Sequence, residues 1–436
     1  MGWLTAMQSD LHLPDTTTIL YERTAQPDTA DWWETARLLG YPAAIWRLPS
    51  QHEKHLIVSF DAVLPRISVD LEELPAGFAF SPFNNLDFGP DSPARTLFLR
   101  ADLHAIFGGE SGEAAQHTDW PDSGKATRFG NALTARQQAE SIRPLVGLPT
   151  FADDPDAKAV YVANVAEAVA AMQRGEFRKV VLSRTKQVAF ADAPDAVVLF
   201  DKLCETYPTA FVSAVSLPER GQIWMSATPE RLVSQDADGI FRTVSLAGTQ
   251  SALDASDTPI RPSEAMWSQK EIEEQALVSR YIIDCFKKIR LREYLEEGPK
   301  TIVAGNLMHL GTQFTVDTRA VRYPQLGTVM LRLLHPTSAV CGMPRDLAFR
   351  FIQEHEAHDR EFYAGFLGPV NMGSVDAGAA TNLFVHIRCM KLEGNTATLY
   401  AGAGLTEDSV PEREWHETEM KCQTLLKVIL NDRIIE

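Results

Sequence analysis

The sequence predicts an α+β fold. Helical and strand-like patterns interleave along the chain without regular βαβ alternation, which argues against a doubly wound parallel sheet. The 436 residues are 45 % hydrophobic and 23 % charged, the composition of a soluble globular protein with enough apolar mass for a large core. No stretch approaches the roughly 18 consecutive apolar residues of a membrane span.

The elements follow in order. Residues 1 to 150 mix strand-like runs, HLIVSF at 55–60 and RTLFLRA at 95–101, with turn-rich pieces such as SPFNNLDFGPDSP at 81–93. The polar, Gly-rich stretch at 108–127 predicts an exposed loop. Asp154-Pro155 reads as an N-cap followed by Pro at the first helical position. Val162, Val165, Val169 and Met172 then recur at spacings of three and four, and Gly175 ends the helix. Phe177 to Arg184 reads as a strand with Lys179 near its start. Further helices are expected at 263–288, 344–358 and 411–431, and strands at 380–390 and 396–402. No internal repeat and no other low-complexity tract is present.

With 41 basic and 58 acidic side chains the formal charge is −17, and no Lys/Arg cluster is dense enough to serve a polyanion, so nucleic acid is excluded as a partner. The same charge repels an anionic metabolite at long range. A site for one must therefore bring its own cations. Cys204, Cys285, Cys341, Cys389 and Cys422 are scattered singly, without a CxxC pair, which speaks against a disulfide framework and against structural zinc. The N-terminus lacks a basic n-region and a sustained apolar run, so the expected location is cytoplasmic, with no membrane partner.

Several segments carry candidate chemistry. Lys179 in FRKVVLSR and Glu230 in SATPERL both follow β-rich runs and offer a base and an acid. Ser409-Val-Pro-Glu412 has the form of a capping box, and downstream Glu414, Glu417 and Lys421 share one helix face. That spacing also describes a solvated, salt-bridged surface. SQKEIEEQALV at 268–278 places Glu271 and Glu274 one turn apart, with Lys270 four before Glu274. Glu354, His355 and His358 do not have the HExxH spacing of a zinc site. The remaining segments are SLAGT at 245–249, LLHPTSAVCG at 333–342, REFYAG at 360–365 and AGAG at 401–404.

Together these segments resemble the chorismate-utilising enzymes, the family of anthranilate, aminodeoxychorismate, salicylate and isochorismate synthases, and most nearly its isochorismate synthases. The resemblance is strong over residues 155–430 and loose before that. It implies two large, mainly antiparallel β-sheets stacked as a sandwich with helices outside, residues 1–150 forming a divergent N-terminal part and 151–436 the chorismate-binding catalytic region. It also implies that Glu274, Glu414 and Glu417 serve a Mg²⁺ site, an all-oxygen set that suits a hard cation. By the same resemblance Lys421 contacts the ring carboxylate, Arg388 and Tyr363 grip the enolpyruvyl carboxylate, the Gly404 amide approaches the substrate, and Gly248 and Thr249 line the cleft. His309 matches an active-site histidine, although a lone His beside apolar residues also describes a packed core side chain. Gln275 stands where the family commonly has His.

Two positions discriminate among members. The resemblance gives Gln at the Lys179 position in the ammonia-using anthranilate synthases, and a covalent Lys in place of Ala247 in aminodeoxychorismate synthases. Lys179 and Ala247 therefore favour water as nucleophile, with no glutaminase subunit, and an isomerase converting chorismate to isochorismate. Salicylate synthase, which goes on to eliminate pyruvate, stays open as the alternative. A non-catalytic binding protein is disfavoured because Lys179, Glu230 and the glutamates are all present. Lys179 would take a proton from water attacking C2 while Glu230 protonates the hydroxyl leaving C4. That direction needs a neutral lysine and a protonated glutamate, against ordinary pKa values of about 10.4 and about 4.3. A monomer or weak dimer is expected.

Overall fold

A computed structural model describes residues 27–85, 93–108, 123–138, 149–151, 155–252, 254, 258–304, 307–374 and 378–430. Two sheets dominate it, and every hydrogen-bonded strand pair in them runs antiparallel. The first runs Gly342–Met343, Lys179–Ala189, Thr396–Leu405, Cys389–Glu393, Gln222–Thr228, Phe211–Leu217, Ala43–Arg47, Lys54–Val58, Leu103–Phe107. The second runs Leu295–Ala304, Leu307–Asp317, Ile240–Ser251, Arg231–Gln235, Gly378–Val385, Phe366–Val370, Gly77–Ser81, Thr96–Arg100, Arg66–Ile67. Strands from the first 150 residues thus enter both sheets.

Alternation along the strands decides the layering. Ala44 and Trp46 face the second sheet, in a core with Phe80, Phe241 and Phe384, whereas Ala43 and Ile45 face outward into a separate core with Trp33, Leu203 and Leu425. Phe211 of one sheet stacks on Phe384 of the other, with ring centroids 4.1 Å apart. Helices Thr29–Leu38, Ala196–Thr206 and Pro411–Leu430 cover the outer face of the first sheet. The fold is the expected α+β sandwich. Because both faces of a strand such as Phe211–Leu217 are buried, it reads as a continuous apolar run rather than as an alternating one.

The chain changes sheets twice next to the site. Gln222–Thr228 belongs to the first sheet and Arg231–Gln235 to the second, so Pro229 and Glu230 form a crossover. Gly378–Val385 and Cys389–Glu393 form the other, with Arg388 at φ +49° between them. The single strand expected at 380–390 is therefore two strands in different sheets, and Arg388 lies at their break. Apolar residues run on across the break because both halves are buried, which hides it from periodicity.

The helices corrected some expected boundaries. The one read from Asp154 spans Ala157–Gln173 with Asp156 at the cap position, Asp154 itself being outside the described residues. Val165 and Met172 are buried in it, together with Tyr161 and Ala168, and Gly175 ends it at φ +80°. The helix expected from 263 begins at Gln269. There Ser268 Oγ accepts from the Glu271 amide and Glu271 returns a bond to the Ser268 amide (2.8 Å), a closed capping box. The helix expected at 344–358 spans Arg345–His355. The last helix starts at Pro411, where Ser409 Oγ accepts from the Thr406 amide and Glu412 pairs with Lys158. Of the loop expected at 108–127, residues 109–122 lie outside the described set, and its end is helical within Ser123–Gln138. No described helix is long and apolar enough to cross a membrane, and all five cysteines are buried thiols.

Candidate active site

A cavity of about 470 Å³ is walled by strands of both sheets, both crossovers and the helices Gln269–Lys288 and Pro411–Leu430. The expected residues Lys179, Glu230, Gly248, Glu274, His309 and Tyr363 all line it, as do Arg388, Gly404, Glu417 and Lys421. Glu414 stands behind this wall, buried and reached by Lys270 from the cavity side. The side chain of Thr249 lies outside the described set. Spacing alone had left Glu414, Glu417 and Lys421 open to reading as a solvated surface; the helix instead turns Glu417 and Lys421 toward the cavity.

Two glycines make room for the chemistry. In the strand Thr396–Leu405, Tyr400, Gly402 and Gly404 fall on one face by the two-residue period and line the cavity together. A Cβ on Gly402 would come 2.6 Å from the Tyr363 hydroxyl. One on Gly404 would meet Glu274 Oε1 and Lys179 Cε, each at 3.3 Å. The AGAG segment is thus where side chains from three other elements pass close to a strand backbone.

Lys179, buried at the start of its strand, places Nζ 3.9 Å from Glu274 Oε1. Glu230 is buried, and desolvation pushes its carboxyl up to about 7 although Lys179, Arg388 and Lys421 pull it down. Arg388 is buried as well; desolvation pulls its guanidinium below the ordinary range, and Nη1 donates to Thr424 Oγ1 at 3.1 Å. A desolvated guanidinium on a cavity wall is suited to a planar carboxylate. Burial raises the Tyr363 phenol, which stacks on Tyr400 with centroids 5.4 Å apart. His309 donates through Nδ1 to the Gly248 carbonyl (2.9 Å), and burial lowers its pKa to about 4, so the ring is neutral.

The acidic groups are each met by a lysine. Lys421 Nζ donates to Glu417 Oε1 (2.6 Å) and to the Gly402 carbonyl (2.7 Å). Burial alone would raise Glu417, but Lys421 and Lys270 outweigh it and hold the carboxyl low. Lys270 lies 3.4 Å from Glu414 Oε1. Glu414 is raised by burial and by Glu417 against the pull of Lys270 and of the Ser409 hydroxyl, and its buried Oε2 makes no hydrogen bond of ordinary geometry among the described residues. Among the described residues no three His, Cys, Asp or Glu side chains already converge as a ready-made metal centre.

Some residues escaped the sequence reading. Lys270 looked like a helical neighbour of Glu274, yet it reaches across to Glu414 on another helix. Tyr400 and Gln250 line the cavity by the same two-residue period as Gly402 and Gly248, a signal that was present in the sequence. Gln275 is buried away from the cavity, where Nε2 donates to Ser245 Oγ (2.8 Å) and Thr312 Oγ1 (3.0 Å). It fastens the helix carrying Lys270 and Glu274 to the strands that carry Gly248 and His309. In the 354–358 segment, His355 bonds the Phe351 carbonyl (2.9 Å) while His358 meets Ser183 Oγ (3.1 Å).

Comparison with known proteins adds the family context. A family profile described as "Chorismate binding enzyme" matches residues 125–430. The chain is 31 % identical over 267 residues to isochorismate synthase EntC of Escherichia coli K12, a match covering 61 % of this chain and 65 % of that protein. It is 29 % identical over 280 residues to isochorismate synthase DhbC of Bacillus subtilis 168, covering 63 % and 68 % respectively. Its fold is similar to that of MenF, the menaquinone-specific isochorismate synthase from Escherichia coli, with a TM-score of 0.69 at 23 % identity over 93 % of this chain and 91 % of that one. Anthranilate synthase component I from Streptococcus pneumoniae gives a TM-score of 0.64 at 19 % identity, over 88 % and 92 %.

Proposed function

Because the chain belongs to the chorismate-binding enzyme family, we propose that it is an isochorismate synthase, adding water at C2 of chorismate and expelling the C4 hydroxyl. The observation that carries this reading is the pairing, in one cavity, of a buried lysine with a buried carboxyl pushed up to about 7. A carboxyl in that range keeps a proton to give near neutral pH, which is what a departing hydroxyl needs.

In the proposed mechanism Lys179 accepts the proton of the attacking water and Glu230 supplies one at the opposite end of the ring, so that the hydroxyl leaves as water. Arg388 and Tyr363 hold the enolpyruvyl carboxylate, and Lys421 with the Gly404 amide holds the ring carboxylate. Neutral His309, fixed by the Gly248 carbonyl, lines the ring without adding charge. The glutamates fit a hard dication, since Glu414 Oε2 is a buried oxygen that makes no hydrogen bond of ordinary geometry among the described residues, and Glu274 and Glu417 face the cavity beside it. Mg²⁺ held by Glu274, Glu414 and Glu417 would supply the positive charge that a dianionic substrate needs in a chain of net charge −17. We place the enzyme in the cytoplasm, acting without a glutaminase subunit.

The test is product identification by chromatography after incubating the purified protein with chorismate, with and without Mg²⁺. Isochorismate formed only with Mg²⁺ is the expected result. Pyruvate released in step with chorismate consumption would make the protein a salicylate synthase, and no turnover in either condition would leave it a binding protein.

A further inference from the structure

The three glutamates of the cluster are met by three different lysines: Glu274 by Lys179 at 3.9 Å, Glu414 by Lys270 at 3.4 Å and Glu417 by Lys421 at 2.6 Å. A divalent cation on these carboxylates competes with the three ammonium groups for the same negative charge, and the lysines differ in their freedom to move. The Lys179 side chain is only 5 % exposed, so its charge has little access to solvent. Lys421 is tied twice, to Glu417 and to the Gly402 carbonyl. Lys270 is 48 % exposed at the rim of the cavity, the most exposed of the three, and lies 3.4 Å from a carboxylate that is 3 % exposed. It also stands in the first turn of the helix Gln269–Lys288, where the helix dipole disfavours a cation. Helix stability therefore does not explain its placement, and the buried Glu414 does.

We propose that Lys270 is an exchangeable counter-ion, holding Glu414 until a divalent cation replaces it, and that it thereby sets the affinity of the site for Mg²⁺. The proposal rests on reading Glu274, Glu414 and Glu417 as the magnesium ligands. The exchange never leaves Glu414 buried without a compensating cation, a condition that is strongly destabilising. The released ammonium swings outward into solvent at the rim, which costs little because half of the side chain is already there.

Isothermal titration of the full chain with magnesium chloride at pH 8 tests this, using wild type, Lys270→Met and Lys270→Arg. Lys270→Met should bind Mg²⁺ about tenfold more tightly, because the competing charge is gone. Lys270→Arg, which keeps the charge, should stay close to wild type. Unchanged or weaker binding by Lys270→Met, or equal tightening by both variants, would overturn the exchange while leaving the metal site standing. No binding by any of the three proteins would instead refute the metal reading on which it rests.

Discussion

Glu230→Gln should yield a protein that is nearly inactive and, at pH 8, more stable than wild type. Desolvation raises the carboxyl from the ordinary 4.5 to about 7 in the folded protein, with Lys179, Arg388 and Lys421 as partial compensation. Between those two pH values the unfolded chain has released the proton and the folded chain still holds it, so stability falls as pH rises, by about 1.4 kcal/mol per pH unit. Summed over the interval from 4.5 to about 7, the loss is about 3 kcal/mol, complete above the folded pKa and absent below 4.5. The amide cannot ionise and escapes this loss. The difference in thermal midpoint between variant and wild type should therefore grow in the variant's favour from pH 4.5 to pH 8, by a few degrees for a chain of this size. Activity should move the other way: the amide variant should turn over roughly 10²-fold or more slowly throughout, because it has no proton to give the departing hydroxyl. A Gln variant that keeps near-wild-type turnover, or one less stable than wild type at pH 8, would refute the assignment of Glu230 as a buried acid.

Two other substitutions probe the opposite walls. Lys179→Ala should cut turnover by roughly 10²-fold or more while chorismate still binds, as measured by single-turnover kinetics beside equilibrium binding; near-wild-type turnover would remove Lys179 from the mechanism. Gly402→Ala puts a Cβ 2.6 Å from the Tyr363 hydroxyl, so it should displace that ring and raise KM for chorismate several-fold, at a stability cost of about 1–3 kcal/mol from overpacking. An unchanged KM would mean that the phenol does not hold substrate.

How much of this could be read from the chain depended on whether a feature leaves a local trace. Pro411 at a helix start and Gly175 after a helix end did so, because each acts within one turn, whereas the cap of Ser268 with Glu271 was passed over for a start at 263 and the capping box read at Ser409 and Glu412 is not formed. The alignment of Glu417 with Lys421 followed from helical geometry, although nothing local could say that this face meets a cavity. The pairing of Lys270 with Glu414 spans 144 residues and left no local trace, so the nearer Glu274 looked like its partner. The helix Ser123–Gln138 was hidden for a different reason: its opening residues, Ser123 to Thr127, continue the polar, Gly-rich composition of the stretch before them.

The break at Arg388 shows why the sequence picked out cavity-lining residues better than the architecture around them. A residue at φ +49° leaves the strand ladder, and at a crossover between two stacked sheets the side chain is freed to face the space between them rather than solvent or core. Glu230 occupies the equivalent place on the other crossover, after Pro229, whose missing N–H cannot continue a ladder. Arg388, a charged type between Ile387 and Cys389, is conspicuous in the sequence, whereas Glu230 is followed at once by Arg231. What makes those positions tolerable, a change of sheet, is a relation between strands distant in the chain: Gly378–Val385 pairs with Arg231–Gln235, whereas Cys389–Glu393 pairs with Gln222–Thr228. The two crossovers are thus bound to each other through both sheets. Each fixes the other's geometry, so the proposed acid and the proposed carboxylate grip are set at one end of the cavity by strand pairing, independently of the helices that carry the glutamates.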